Sequence, residues 1–407
     1  MIKILYLAYN GLTPEIQGLL SLIDDKVFDV TVIVPFEIDL YGQNYRFYSS
    51  PKTNKVRYIP FILEIQPYIF FAQPEGNKKL NEVLKQSKPD IIIIQNEFFH
   101  PNATAIINAK IKYSPQSKIL NFVASQYVIS TFQYFKNYLK YRKIVKYTDF
   151  LCCRNKMELN RLRKNYLLKG KKVFQNYWGT SPDMFYKIDR KREDIIQDTR
   201  RLHKIYPLVK ENAIFLGLIG RIVEEKGLHL LIEALRDLPE FYYLIYAGQL
   251  GNSDYERRIN VFIQKDNLSH RCHYCENIPY LELVYLYNII DILVVPTYQG
   301  EINFIELFGR VIVEAMLCKT LVIGSNNGSI PEIVHNENMI FQQGNSQSLK
   351  KKIIALEGLD ETEKNTIIED NYSYALNNYT NEKYVERLQN FILKNVKDMR
   401  NTDTLTG

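Results

Sequence analysis

Short branched apolar runs recur along this chain with helical patterns between them, and that alternation limits the fold more than any other feature. In the first half the runs are Lys3–Ala8, Val30–Val34, Val56–Pro60, Ile91–Gln95, Ile119–Val123 and Phe150–Cys153. Helical patterns separate them at Asn77–Gln86, Thr104–Tyr113, Phe132–Lys146 and Lys156–Leu167. Strands alternating with helices of this length predict a parallel sheet covered on both faces. The second half repeats the rhythm. Strands are expected at Ala213–Gly220, Tyr242–Ala247, Asp291–Val295 and Leu321–Gly324, and helices at Gly227–Arg236, Asp254–Asp266 and Arg310–Cys318. The fold class is therefore α/β, with two doubly wound, Rossmann-like domains facing a cleft.

The polar, weakly periodic stretch Lys187–Lys210 reads as the boundary. Residues 1–190 and 191–375 are then the two domains. Residues 376–407 carry a helical stripe of Tyr384, Leu388, Phe391 and Ile392, expected to pack back toward the first domain. At 407 residues the chain is long enough for two cores. No apolar run reaches the eighteen residues that would suggest a membrane span, and the N-terminus reads as a first core strand, not a signal peptide. The five cysteines are an odd set that fits a reducing compartment. A cytoplasmic protein is expected, with attachment to the inner face of the membrane as a variant of that reading.

Formal charge is +7, unevenly spread: Thr131–Lys172 holds thirteen Lys/Arg against two Asp/Glu. Aromatics interleave there, among them Phe132, Tyr134, Phe135, Tyr138, Tyr141 and Tyr147. Such a segment can lie on an anionic membrane surface. It can equally be a solvated basic face whose aromatics pack inward. Nucleic acid is the least favoured partner.

Two segments carry chemistry. In Glu306-Leu307-Phe308-Gly309-Arg310-Val311-Ile312-Val313-Glu314, two carboxylates flank a glycine at a helix start. Free amides and the dipole at a helix N-terminus suit a phosphate. Eight helical positions rise about 12 Å, the order of distance between the sugar and the ribose of a nucleoside diphosphate sugar. In Gly220-Arg221-Ile222-Val223-Glu224-Glu225-Lys226-Gly227, a strand ends at Gly220 and two cations follow five positions apart. At the carboxyl edge of a parallel sheet they can stabilise a departing diphosphate. Taken alone, the first segment also reads as an amphipathic helix with exposed glutamates, and the second as surface cations balancing Glu224 and Glu225. No Asp-x-Asp triplet occurs, so no metal is expected.

Together these segments resemble the donor site of glycosyltransferase family 4, which has the GT-B fold. The likeness extends from Pro296-Thr297 through Glu306–Met316 to Val322-Ile323-Gly324-Ser325 and Gly328-Ser329-Ile330-Pro331-Glu332, with Gly248, Tyr287-Asn288 and Asp291 in matching order. Trp178-Gly179-Thr180-Ser181-Pro182-Asp183-Met184-Phe185 resembles a further family element. The resemblance covers most of Ala213–Val334, and the first 120 residues only in rhythm. It implies a retaining transferase that moves a hexose-type sugar from a UDP- or GDP-sugar to a glycan, lipid-linked or protein acceptor in polysaccharide or glycoconjugate synthesis. The first domain would bind acceptor and the second donor.

By the same resemblance, Arg221 and Lys226 neutralise the diphosphate, Glu306 holds the transferred sugar and Glu314 holds the ribose. Gly220, Phe308 and the amides around Gly309, Arg310 and Val311 line the phosphate, while Glu276 and Ile278 border the base. Gly11, Glu97 and Gln126 are candidates for the acceptor side. Lys319 stands where the family usually has glycine. The implied route is front-face attack in which the leaving phosphate takes the acceptor proton, so neither cofactor nor enzymic base is expected. The alternative is a non-catalytic nucleotide-sugar-binding subunit of a glycan-assembly complex. Cys272-His273-Tyr274-Cys275 has ligand-like spacing but falls on an expected strand and turn, and no Gly-x-Gly-x-x-Gly follows the first strand.

Overall fold

The computed structural model describes residues 1–8, 13–35, 37–40, 43–46, 56–61, 71–95, 101–123, 138–164, 168, 170–210, 212–251, 253–276 and 278–403. They form two compact units. One comprises the chain up to Gly179 together with Asn381 onward, and the other Thr180–Thr380.

The first unit is built on seven parallel strands: β1 (Ile2–Leu7), β2 (Phe28–Pro35), β5 (Arg57–Phe61), β6 (Ile91–Ile94), β7 (Lys118–Phe122), β8 (Phe150–Cys153) and β9 (Lys172–Gln175). A small antiparallel pair, β3 (Glu37–Leu40) and β4 (Gln43–Arg46), lies outside this sheet. The order β5-β2-β1-β6-β7-β8-β9 reverses direction between β1 and β6. All four isoleucines of β6 are buried, because helices cover both faces of a parallel sheet. Ile92, Ile94, Ile106, Ile107, Ile119 and Leu151 belong to one core under the helices Pro74–Ser87 and Pro101–Tyr113. The expected helix from Phe132 is described only from Tyr138 to Tyr147.

The last helix, Asn381–Asp403, packs on this unit. Asn176 donates to the Tyr384 carbonyl at 3.2 Å, and Arg387 donates to Asn176 Oδ1 at 2.8 Å. Phe391 stacks on Phe174 with ring centroids 4.4 Å apart. Tyr384, Val385, Leu388 and Ile392 are buried, as the apolar stripe requires.

The second unit has six parallel strands: β10 (Ile214–Ile219), β11 (Tyr242–Ala247), β12 (Cys272–Cys275), β13 (Ile292–Val295), β14 (Leu321–Ser325) and β15 (Ile340–Phe341). Their order is β12-β11-β10-β13-β14-β15. The chain therefore steps from β10 outward to one side, then crosses to β13 and steps outward to the other. The switch lies between the carboxyl ends of β10 and β13.

Sequence and structure differ over Lys187–Lys210. Expected to be a linker, it forms a helix, Arg192–Asp198, and a 3₁₀ segment, Arg200–Leu208, that bury Ile195, Ile196, Leu202 and Ile205. Arg192 pairs with Asp291, and the Ile188 amide donates to Asn288 Oδ1 at 2.8 Å. The break after Gly179 thus precedes the expected 190/191, since Phe185 already packs edge-on against Tyr280 and Tyr287 of the second unit. At the far end the break falls after Thr380 instead of 375, because the helix Glu361–Asn378 packs on the helix Arg310–Leu317. No helix among the described residues is long and apolar enough to cross a membrane.

Candidate functional site

Parallel strands bring all their carboxyl ends to one edge, so the loops after β10, β11, β12, β13 and β14 share it. Gly220 and Arg221 follow β10, Glu276 follows β12, Pro296 follows β13 and Asn326–Ser329 follow β14. The loop after β10 turns at Gly227, whose φ is +73°. A Cβ there would stand 2.3 Å from the Pro296 carbonyl oxygen. That close approach ties the β10 loop to the end of β13, at the switch point, and only glycine permits it. The Tyr298 amide donates to the Glu225 carbonyl at 3.0 Å and adds a second tie.

Lys226 and Glu306 meet at this place. The Lys226 ammonium donates to Glu306 Oε2 and lies 5.2 Å from the centre of the Phe304 ring. Glu306 is buried. Burial pushes its carboxyl up, but the Lys226 charge and hydrogen bond, joined by the Phe308 and Gly309 amides, outweigh burial and hold it below the usual carboxylate range. The Glu306 backbone is fixed as firmly. Its amide donates to Asn327 Oδ1 at 2.8 Å, and its carbonyl accepts from the Ser329 amide at 2.9 Å and the Ser329 hydroxyl at 3.1 Å. Asn327 Nδ2 in turn donates to the Phe304 carbonyl at 3.1 Å and to Gln343 Oε1 at 2.9 Å.

Gly309 caps the helix Arg310–Leu317, with φ +68°. Its amide, expected to face a phosphate, is engaged by the Glu306 carboxylate. The Arg310 and Val311 amides open the first turn, and the Arg310 guanidinium lies 5.4 Å from the centre of the Tyr280 ring. Glu314, on the next turn, is buried. Its Oε2 accepts from the Tyr287 hydroxyl at 2.7 Å and its Oε1 from the Tyr280 hydroxyl at 3.3 Å. Burial and the adjacent Glu314 charge push the Tyr287 hydroxyl well up, so it stays a donor.

The same helix explains Lys319. Its amide donates to the Met316 carbonyl at 3.0 Å, and the Thr320 amide to the Ala315 carbonyl at 2.9 Å. This is a Schellman ending, with Lys319 in the left-handed position, φ +57°, that usually takes glycine. Its ammonium pairs with Glu369 at 2.6 Å.

The structure thus joins Lys226, Glu306, Phe308 and Gly309 in one network. Arg221 is exposed, and its side chain has no hydrogen-bond or ion-pair partner among the described residues. Glu276 is exposed beyond β12 and Ile278 is half-buried. Gly11, Glu97 and Gln126 lie outside the described residues. Cys272 and Cys275 are on buried β12, where burial pushes their thiols up to about 12 and about 11. Sequence reasoning did not single out Asn327, Phe304, Tyr280, or Tyr287 as a partner of Glu314. The Asn326-Asn327-Gly328-Ser329 turn was the one local signal available.

Residues 199–372 match the family described as Glycosyl transferases group 1. An uncharacterized glycosyltransferase of Methanocaldococcus jannaschii is 25% identical over 371 residues, covering 89% of each chain. The capsular polysaccharide biosynthesis glycosyltransferase CapM of Staphylococcus aureus is 25% identical over 270 residues, covering 64% of this chain and 66% of its own. In fold the chain is similar to sucrose-phosphate synthase of Thermosynechococcus elongatus, with TM-score 0.71, 17% identity, and coverage of 97% and 99% of the two chains. It is also similar to HepE of Anabaena, whose structure holds UDP and glucose, with TM-score 0.70, 17% identity, and coverage of 97% and 100%. The chain has two parallel-sheet, Rossmann-like units, and its structural neighbours share the GT-B fold. The family domain and these relatives support a transferase enzyme.

Proposed function

We propose, from the match of residues 199–372 to the glycosyl transferases group 1 family, that this protein is an enzyme that takes a hexose-type sugar from a nucleoside diphosphate sugar with retention and without a metal. The observation that carries the reading is the partly buried Lys226–Glu306 pair at the β10/β13 switch point. In the proposed donor complex Lys226 turns toward the diphosphate with Arg221, while Glu306 accepts from hydroxyls of the transferred sugar. The Arg310 and Val311 amides meet a phosphate, Glu314 meets the ribose, and Glu276 and Ile278 border the base. UDP in HepE and capsular polysaccharide synthesis in CapM support a nucleotide-sugar donor and a polysaccharide-type acceptor.

Charge stabilisation of the leaving diphosphate by preorganised cations is the main catalytic effect proposed. The exposed Arg142, Lys143 and Lys146 on the helix Tyr138–Tyr147 support an acceptor presented at an anionic surface.

The test is release of labelled sugar from UDP- and GDP-sugars, to water or to a glycan, with and without anionic vesicles. Lys226→Ala is expected to lower turnover by roughly 10²–10³, the effect of losing one charge-stabilising donor. Near-wild-type turnover would remove Lys226 from the mechanism. Binding of the donor with no turnover would favour the non-catalytic subunit instead. Vesicles that leave the rate unchanged would remove the membrane part.

A further inference from the structure

The two oxygens of the Glu314 carboxylate have unequal partners. We propose that Tyr287 positions Glu314 to take a ribose diol, and that the Tyr280 hydroxyl stands where a ribose hydroxyl binds. This rests on the reading that Glu314 meets the ribose.

Tyr287 is wholly buried on the helix Leu283–Ile289. Its carbonyl accepts from the Thr320 hydroxyl at 2.7 Å, and its own hydroxyl holds Glu314 Oε2 at the same distance. A buried phenol fixed at both ends locks one carboxylate oxygen and so sets where the other points. Tyr280 differs in each respect. It is half-buried, it belongs to the single 3₁₀ turn Tyr280–Glu282, and its hydroxyl reaches Glu314 Oε1 at 3.3 Å. That is beyond the ordinary range for O–H···O bonds, so this is the weaker contact of the two.

A ribose hydroxyl is the same kind of donor as a phenol. Exchanging one for the other leaves no carboxylate oxygen bare, which removes the largest cost of displacing a buried contact. The turn also provides somewhere for the displaced ring to act. Tyr280 packs edge-on to Phe185 at 5.3 Å and carries the Arg310 guanidinium on its face. The ring can keep both neighbours while its hydroxyl swings off the carboxylate. Tyr287 has no such freedom, so the geometry of the diol contact is set from beneath the site.

A site shaped to accept from a hydroxyl discriminates against a ligand that lacks it, because its own acceptor is left bare. Tyr287 therefore determines the preference for ribose over deoxyribose without touching the sugar.

Calorimetric titration of the full chain with UDP, GDP and their 2′-deoxy forms tests this. Wild type is expected to prefer the ribo form by about tenfold or more. Tyr287→Phe should reduce that ratio to about threefold or less, with the ribo form losing the most. Tyr280→Phe should tighten the ribo form a few-fold and leave the 2′-deoxy forms little changed, so that the ratio rises. A Tyr287→Phe protein that weakens both forms equally would make Tyr287 a packing residue and overturn the proposal. If Tyr287→Phe does not fold, the Tyr280→Phe arm decides, and ribo binding weakened tenfold there overturns it. If wild type binds none of the four nucleotides, or Glu314→Gln leaves the ratio untouched, the donor-site reading itself fails.

Discussion

Replacing Lys226 by methionine keeps most of the side-chain volume and removes the one cation on Glu306 among the described residues. Removing one partner of a buried ion pair costs about 3–5 kcal/mol, since the remaining charge is left uncompensated. Here two facts lower the figure. The Lys226 side chain is 22% exposed, and Glu306 keeps the Phe308 and Gly309 amides. A loss of about 2–3 kcal/mol at neutral pH is expected, at and below the low end of that range. For a unit of this size it is read as a fall of roughly 4–12 °C in Tm.

The pH dependence is the sharper readout. In the wild type the Glu306 carboxyl lies below its ordinary value. Its contribution is therefore present above the unfolded value of about 4.3 and lost as pH falls through the lower folded one. Without Lys226, burial is the leading influence and raises the folded carboxyl above the unfolded value. The variant then gains stability as pH falls through that raised value toward the unfolded one, and loses it as pH climbs back through it. The gap between the two proteins should be widest near pH 7.5 and close substantially by about pH 5. Scanning calorimetry of the full chain at both values measures it, following whichever transition moves. Adding Glu306→Gln to Lys226→Met should recover much of the loss, because no buried charge remains. A loss below about 0.5 kcal/mol, or one equal at the two pH values, would refute the reasoning.

Arg221→Ala removes an exposed side chain without a partner among the described residues; stability should stay within about 0.5 kcal/mol. Affinity for a nucleoside diphosphate should fall about tenfold, as for loss of one charge-assisted contact, and unchanged affinity would take Arg221 out of the site. Gly328→Ala sets a Cβ 2.2 Å from the Glu306 carbonyl oxygen at φ +57°, so a loss of about 2 kcal/mol or more and reduced turnover are expected. An unchanged melting temperature would mean that this contact opens freely.

The sheet strands of both units were legible wherever an apolar run was long enough to be covered on both sides, as at Ile91–Ile94 and Tyr242–Ala247. β9 was not, because Lys172-Val173-Phe174-Gln175 mixes polar and apolar residues at a sheet edge, and the edge strand β12, Cys272–Cys275, was expected only from the family resemblance. The helix in Arg192–Asp198 was hidden by its charge. It offers Ile195 and Ile196 to the core, and its anchors, Asp291 and Asn288, lie about a hundred positions away. The pairing of Lys226 with Glu306 follows from two segments that the sequence had already brought to one strand edge. Tyr287 beneath Glu314 could not be read this way, since it depends on how two helices 27 positions apart are rotated against each other. The family resemblance named Tyr287-Asn288 as a matching pair without giving Tyr287 a role.

The placement of Asn381–Asp403 has a consequence for synthesis. Residues 180–380 are complete as a unit before this helix leaves the ribosome, and domains generally fold as they emerge. The unit that begins the chain has by then translated its whole sheet, yet Phe174, Trp178 and the polar groups of Asn176 still lack the surface that covers them. First to be made, it is last to be sealed, and a nascent chain stalled before Asn381 would expose that apolar seam to any holdase or protease nearby.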